Sequence, residues 1–345
     1  MRAKRLRGVL QRRRGYGVVA ALLVALLVGV PVYVWRFDKR VVKVRMQFSI
    51  GIYEARDLFR WSPARGARNP VLTAADVTDI DAEIVADPFM VREGDQWYMF
   101  FEAVDARTKR AVIALATSPD ALRWTYQKVV LAEPYTLSYP YVFKWQGDYY
   151  MIPEAHQSHS VRLYKAVEFP ARWAFAGTLV EGTYSDASVV RHGDRWWLFT
   201  VEITNDRLRL YHADDLKGPW VEHPRSPVVS GDNTKARPAG RLTPYGDKLV
   251  RYAQDDGRFY GRAVRAFVID RLTTTEYGEH EAEVSPILAG SAEFLTWTRW
   301  NAKGMHTLDA HELEPGRWIA CVDGFYKYHY LTLEEVRPLF SSGKN

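Results

Sequence analysis

The stretch ADPFMVREGDQWYMFFE, residues 86–102, sets an apolar run on each side of Gly94-Asp95. Gly and Asp accept the positive φ that tight turns demand, so it reads as two antiparallel strands joined at that pair. The signature returns as QGDYYMIPEA from Gln146, HGDRWWLFTVE from His192 and YGDKLVRYAQD from Tyr245, with a looser copy, PGRWIACVDG, from Pro315. The Gly-Asp pairs begin at 94, 147, 193 and 246, intervals of 53, 46 and 53 residues. Upstream of the four Gly-Asp turns lie short runs (ADPFMV, SYPYVF, SDASVV, RPAGRL). Downstream come a further strand and then a Trp-bearing one, as in AVIALATSPDALRWTYQKVVL. Four strands recurring at about 50 residues form one blade of a β-propeller, and five copies predict an all-β, five-bladed β-propeller. A helical solenoid shares the period. However, Pro, Gly, β-branched and aromatic residues dominate, and helical periodicity is confined to the N-terminal apolar run and to Leu333–Leu339.

With 345 residues, 47% hydrophobic and 14% aromatic, the chain can bury a sizeable core, which excludes a disordered protein. The net charge of +6 is concentrated in the first 45 residues, so nucleic acid is not an implied partner. There, seven basic residues precede the uncharged run YGVVAALLVALLVGVPVYVW (Tyr16–Trp35) and five follow it. At ~1.5 Å rise per residue the run matches a ~30 Å hydrocarbon layer. It reads as one transmembrane helix rather than a signal peptide, since no small-residue cleavage site follows. The charge bias puts the N-terminus in the cytoplasm and the propeller on the extracytoplasmic, periplasmic side. The expected organisation is a basic tail over 1–15, the helix over 16–35, a linker over 36–47, the propeller over 48–330 and a C-terminal tail over 331–345. The lone Cys321 makes no intramolecular disulfide and reads as buried filler.

The innermost strand of each blade lines the central channel, so equivalent strand starts converge. Asp87, Tyr139, Asp186 and Arg237 hold those positions, with Pro88, Pro140 and Pro238 following, as suits a strand's first residue. Each alone serves equally well to end a loop. Together they suggest a polar cavity suited to a sugar. Tyr139 and Tyr141 are the aromatic residues placed to act as sugar platforms, against a core role.

Beyond these patterns, NPVLTAADVTDIDAEIVADPF, SDASVV, GPWVEHPRSPVV, KARPAGR and above all RYAQDDGRFYGRAV resemble the N-terminal domain of the glucosamine inositolphosphorylceramide transferases, over roughly residues 48–328. That domain is similar in architecture to the five-bladed furanosidase propellers of arabinanases, xylosidases, invertases and levansucrases. In the plant transferases a glycosyltransferase domain follows the propeller. The sequence ends at Asn345 without one, so sugar transfer is not carried over. The furanosidase resemblance implies a general base at Asp87, a pKa-tuning Asp at Asp186 and an acidic Glu on the fourth blade. The last position departs from the pattern: Lys235-Ala236-Arg237-Pro238 presents Arg237, which stays protonated and donates no proton to a leaving group.

Glu102, Glu154, Glu202 and Asp255 end the second strands of their blades and are candidates for the missing acid, against solvation or pairing with Arg residues. Arg237 and Arg241 suit a carboxylate or phosphate, hence an acidic or phosphate-linked glycan or glycolipid. For Arg237 the alternative is an internal ion pair with Asp186 or Asp87. In WNAKGMHTLDAHEL, His306, Asp309 and His311 resemble metal ligands, but strand alternation turns 306 and 309 to opposite faces; His306 reads as a pocket hydrogen-bonding residue, and neither metal nor cofactor is expected. Two functional classes stay open. One is a membrane-anchored glycosidase or glycosyl-transfer enzyme acting on an envelope or exported glycan. The other is a non-catalytic module that presents a glycan, or a partner glycosyltransferase, at the membrane.

Overall fold

The computed structural model describes residues 23–32, 42–291 and 299–331. The chain divides into two compact units, residues 47–326 and residues 1–46 with 327–345. The larger is the propeller. Of the predicted span Tyr16–Trp35, only 23–32 fall among the described residues; they are helical, with Ala25–Gly29 a π-helical turn, and their apolar side chains are exposed. Among the described residues no helix is long and apolar enough to cross a membrane. The basic tail 1–15 and the Leu333–Leu339 run lie outside them. The linker predicted over 36–47 is already strand from Val42.

Five antiparallel sheets form the blades. Blade I runs Ala82–Glu93, Gln96–Asp105, Ala111–Ser118 and Thr125–Leu131. Blade II runs Ser138–Trp145, Asp148–Glu154, Ser160–Glu168 and Arg172–Glu181. Blade III starts with Tyr184–His192 and Arg195–Glu202, blade IV with Thr243–Tyr245 and Lys248–Asp255. Blade V closes the ring by mixing chain ends: Leu308–Glu314 and Arg317–Leu331 supply its inner half, Val42–Ala55 and Trp61–Pro63 its outer half. That exchange holds both ends of the propeller in one sheet and so closes the ring.

The hairpins form where the repeats place them. Gly94-Asp95, Gly193-Asp194 and Gly246-Asp247 are two-residue loops with glycine at φ +59°, +60° and +63°. Blade II differs, because Trp145 pairs with Asp148 and the loop is Gln146-Gly147, both with positive φ. Asp148 thereby joins the strand and pairs with Lys165 at 2.7 Å. Four blades also tie a Trp in, or directly before, the outermost strand to a carbonyl shortly before it. The indoles of Trp61, Trp124, Trp173 and Trp220 donate to Leu58, Ala121, Pro170 and Leu216 at 2.9–3.1 Å.

Within the inner strands, the predicted strand starts prove to be bulges. Pairing skips between Ala86 and Phe89, Ser138 and Tyr141, and Ser185 and Ser188. The residue inside each bulge, Asp87, Tyr139 or Asp186, has φ of +51°, +45° or +49°. Pro88 and Pro140 sit in those bulges rather than at a first strand residue, and there too no ladder bond is lost. Three non-glycine residues held left-handed at equivalent places are backbone strain concentrated around one axis.

The Arg237-Pro238-Ala239-Gly240 motif is where blade IV meets blade V. Leu308 N–H donates to Ala239 O at 2.7 Å, and a Cβ on Gly240 (φ +144°) would stand 1.7 Å from the Leu308 carbonyl oxygen. Gly240→Ala is therefore expected to destabilise by about 2–3 kcal/mol through combined strain and overpacking. A urea unfolding midpoint that matches wild type would refute this.

Candidate functional site

The bulges aim Asp87 and Asp186 at the axis, and partners from other blades meet them there. Arg237 Nε donates to Asp186 Oδ2 at 2.5 Å, and its Nη2 lies 3.7 Å from Glu154 Oε2. Gln254 Nε2 donates to the same Asp186 oxygen at 2.9 Å. Opposite, Thr307 Oγ1 donates to Asp87 Oδ1 at 2.7 Å, and His306 Nε2 stands 3.8 Å from that oxygen. The His306 ring lies 2.7 Å from the carboxylate of Asp323. Tyr260 spans the two halves, its ring 5.3 Å from the Arg237 guanidinium and edge-on to His306 at 5.3 Å. Being 37% exposed, it is the aromatic face on offer to a ligand.

Protonation differs across the carboxyls. Burial raises Asp186, Arg237 opposes, and the charges of Glu154 and Asp87 add to the rise, leaving it well above the carboxylate range. For Glu154, burial is outweighed by the His156 bond (2.8 Å) and the Arg237 charge, bringing it down to about 2. The Glu102 side chain, on a part-buried residue, has no hydrogen-bond partner among the described residues. Burial and the charges of Asp87, Glu154 and Asp186 lift it well above its ordinary value. Asp87 is also raised by burial, but His306 and the Thr307 hydroxyl pull the other way. His306 is driven up to about 9, since the Asp323 charge and hydrogen bond outweigh burial.

Glu102, Asp87, Glu154, Asp186, Arg237 and His306 thus come together. Tyr139 does not join them. It is wholly buried, and its hydroxyl contacts Ser188 Oγ at 2.9 Å and accepts Gly240 N–H at 2.6 Å, sealing blade II against III and IV. Tyr141 donates to Val189 O and is equally inaccessible. Arg241 turns inward to Asp309 at 2.7 Å and Val142 O at 2.8 Å, so this guanidinium holds blades together instead of facing a ligand. Asp255 pairs with Arg262 and accepts Gly257 N–H, shaping the loop that presents Tyr260. Glu202 pairs with Arg209. Asp309 and His311 bond to each other at 2.9 Å, apart from His306. Gln254, Asp256, Tyr260, Thr307 and Asp323 escape the strand-start logic, although the first three lie inside RYAQDDGRFYGRAV and Asp323 inside PGRWIACVDG.

Residues 47–325 match the family described as glucosamine inositolphosphorylceramide transferase 1, N-terminal. The chain belongs to that family. A glucosamine inositolphosphorylceramide transferase 1 of Oryza sativa subsp. japonica is 35% identical over 274 residues, covering 76% of this chain and 36% of that protein. Its Arabidopsis thaliana counterpart is 32% identical over 288 residues, covering 80% and 37%. The chain therefore spans little more than a third of the length of these relatives. In architecture it is similar to a thermostable family-43 glycoside hydrolase, with TM-score 0.53, 15% identity and coverage of 72% of this chain and 92% of that one.

Proposed function

We propose that the propeller acts on a glycan at its axial site by acid–base chemistry at a glycosidic bond, with Glu102 as acid and Asp87 as base. The observation that carries this reading is the asymmetry of the pair. Asp87 is held by a hydroxyl and an imidazolium, whereas Glu102 sits beside other carboxylates with no bond to stabilise its charge. Burial raises both, but Asp87 has a hydroxyl and an imidazolium opposing that rise at close range and Glu102 has no bond to oppose it. Such a difference in environment between neighbouring carboxyls is the usual basis of an acid and base assignment. The acid that Arg237 cannot supply on blade IV then comes from blade I.

In this scheme Glu102 protonates the departing oxygen, and Asp87 takes the proton of the incoming water or sugar hydroxyl. Asp186 and Glu154, tied to Arg237, fix the floor of the site, and Tyr260 offers a face to the sugar ring. Membership of the transferase family and the glycosidase-like architecture both support a glycan substrate. The uncharged run at Tyr16–Trp35 supports tethering to a membrane, with the propeller on its extracytoplasmic side.

The test is a glycan array probed with the protein and read for both retention and released or transferred sugar. Turnover on one glycan class, abolished in Asp87→Asn with retention kept, is the expected result. Retention without turnover would favour a binding module.

A further inference from the structure

We propose that Asp323 is the positioning residue of this site, a carboxylate that fixes the backbone of Asp87 and the ring of His306 in one relation. The inference rests on the acid–base reading of Asp87. Asp323 is fully buried on the second strand of blade V, and its oxygens meet three backbone amides and one imidazole. Asp87 N–H donates at 3.0 Å, His306 N–H at 3.1 Å and Thr307 N–H at 3.0 Å, and the His306 ring Nδ1 lies at 2.7 Å.

Each contact does something distinct. The bond to Asp87 N–H ties down the left-handed residue that aims the base, in a bulge where the sheet ladder supplies no such partner. The bond to the ring fixes the tautomer, with the proton on Nδ1, and favours the imidazolium. The bonds to the 306 and 307 amides hold the Thr307 hydroxyl on Asp87 Oδ1. Asp87, His306 and Asp323 bring ligand-type atoms within 4.8 Å of one another, but the oxygens of Asp323 are already engaged by N–H donors. Other groups bearing on His306 are Asp87 and Glu102 from blade I, Arg237 from blade IV, and Asp256 and Tyr260 from the loop after Asp255. At Nδ1 the ring meets the Asp323 carboxylate at 2.7 Å and, more loosely, the Thr307 hydroxyl at 3.3 Å, so Asp323 is the charged group in contact there.

Because His306 titrates in the folded protein at about 9, above its ordinary 6.5, its contribution to stability is complete below 6.5 and disappears as pH rises through about 9. The experiment is Asp323→Asn in the full chain, with His306 titrated by NMR and assigned against His306→Gln. The variant should keep a cooperative melt while the His306 midpoint falls by at least about one unit. The loss of stability between neutral pH and about 9 should shrink accordingly, and the Asp87 amide resonance should shift. On a glycan that is turned over, kcat should fall roughly tenfold or more with KM changed less than about threefold. A His306 midpoint unchanged in Asp323→Asn overturns the proposal, as does a wild-type midpoint near 6.5, which decides the matter even if the variant fails to fold. These titrations need no substrate, so they fail or succeed independently of the acid–base reading.

Discussion

Replacing Glu102 with Gln is expected to lower turnover by roughly 10²–10⁴-fold, the range that a positioned general acid contributes, with fold and glycan retention preserved. Gln keeps the volume and the hydrogen-bonding capacity of a neutral carboxyl but cannot release a proton. Since the Glu102 side chain holds its proton and has no bonded partner among the described residues, the neutral amide breaks no side-chain bond of the fold. The sign of the pH effect follows from burial and from the charges of Asp87, Glu154 and Asp186, which keep the proton on Glu102 to higher pH than an ordinary glutamate. Wild-type activity should therefore persist above the usual carboxylate range and fall as pH rises through the Glu102 titration. In Glu102→Gln that limb should vanish, and substrates with acidic leaving groups, which need no protonation, should recover most of the lost rate. Undiminished turnover in Glu102→Gln, or an equal deficit on every leaving group, would remove Glu102 from the role.

The ring was legible because it depends on short-range turn chemistry. Gly-Asp between alternating apolar runs fixes a hairpin from a few residues, and the repeat spacing sets the blade count. Asp87 and Asp186 were legible for the same reason, as equivalent positions in successive copies. What the repeats did not reveal is direction. Tyr139 occupies the same bulge as its two acidic counterparts and has the same backbone sign, yet its ring packs edge-on against Phe89 at 4.7 Å and its hydroxyl enters the seam between blades. The longer, largely apolar ring of Tyr139 fills a packed slot between blades, where its hydroxyl also finds partners in Ser188 and Gly240. Asp323 was invisible for a different reason. Its partners lie 16, 17 and 236 residues away, and no local pattern marks a carboxylate whose task is to accept distant backbone amides.

Arg241→Met is expected to cost about 3–5 kcal/mol of stability, the range for removing one partner of a buried ion pair, while leaving glycan affinity unchanged. From blade IV the guanidinium reaches three other blades: Asp309 on blade V at 2.7 Å, Val142 O on blade II at 2.8 Å and Met90 O on blade I at 3.4 Å. It also lies 5.0 Å from the Tyr141 ring. Asp309 in turn accepts Met90 N–H at 2.7 Å and contacts His311 at 2.9 Å, so one cation and one anion lock four blades about the axis. Methionine fills the space of the aliphatic stem but strands a fully buried carboxylate, which must then take up a proton. Arg241 and His311 hold Asp309 below the ordinary carboxylate range, so its contribution is present at neutral pH and lost as pH falls through that lowered value. Urea unfolding at neutral pH should show the full deficit in Arg241→Met, and it should narrow in acid. Adding Asp309→Asn should recover part of it, since the stranded charge is gone, and the two changes should be strongly non-additive. A loss of glycan retention out of proportion to the loss of stability would instead return Arg241 to the ligand.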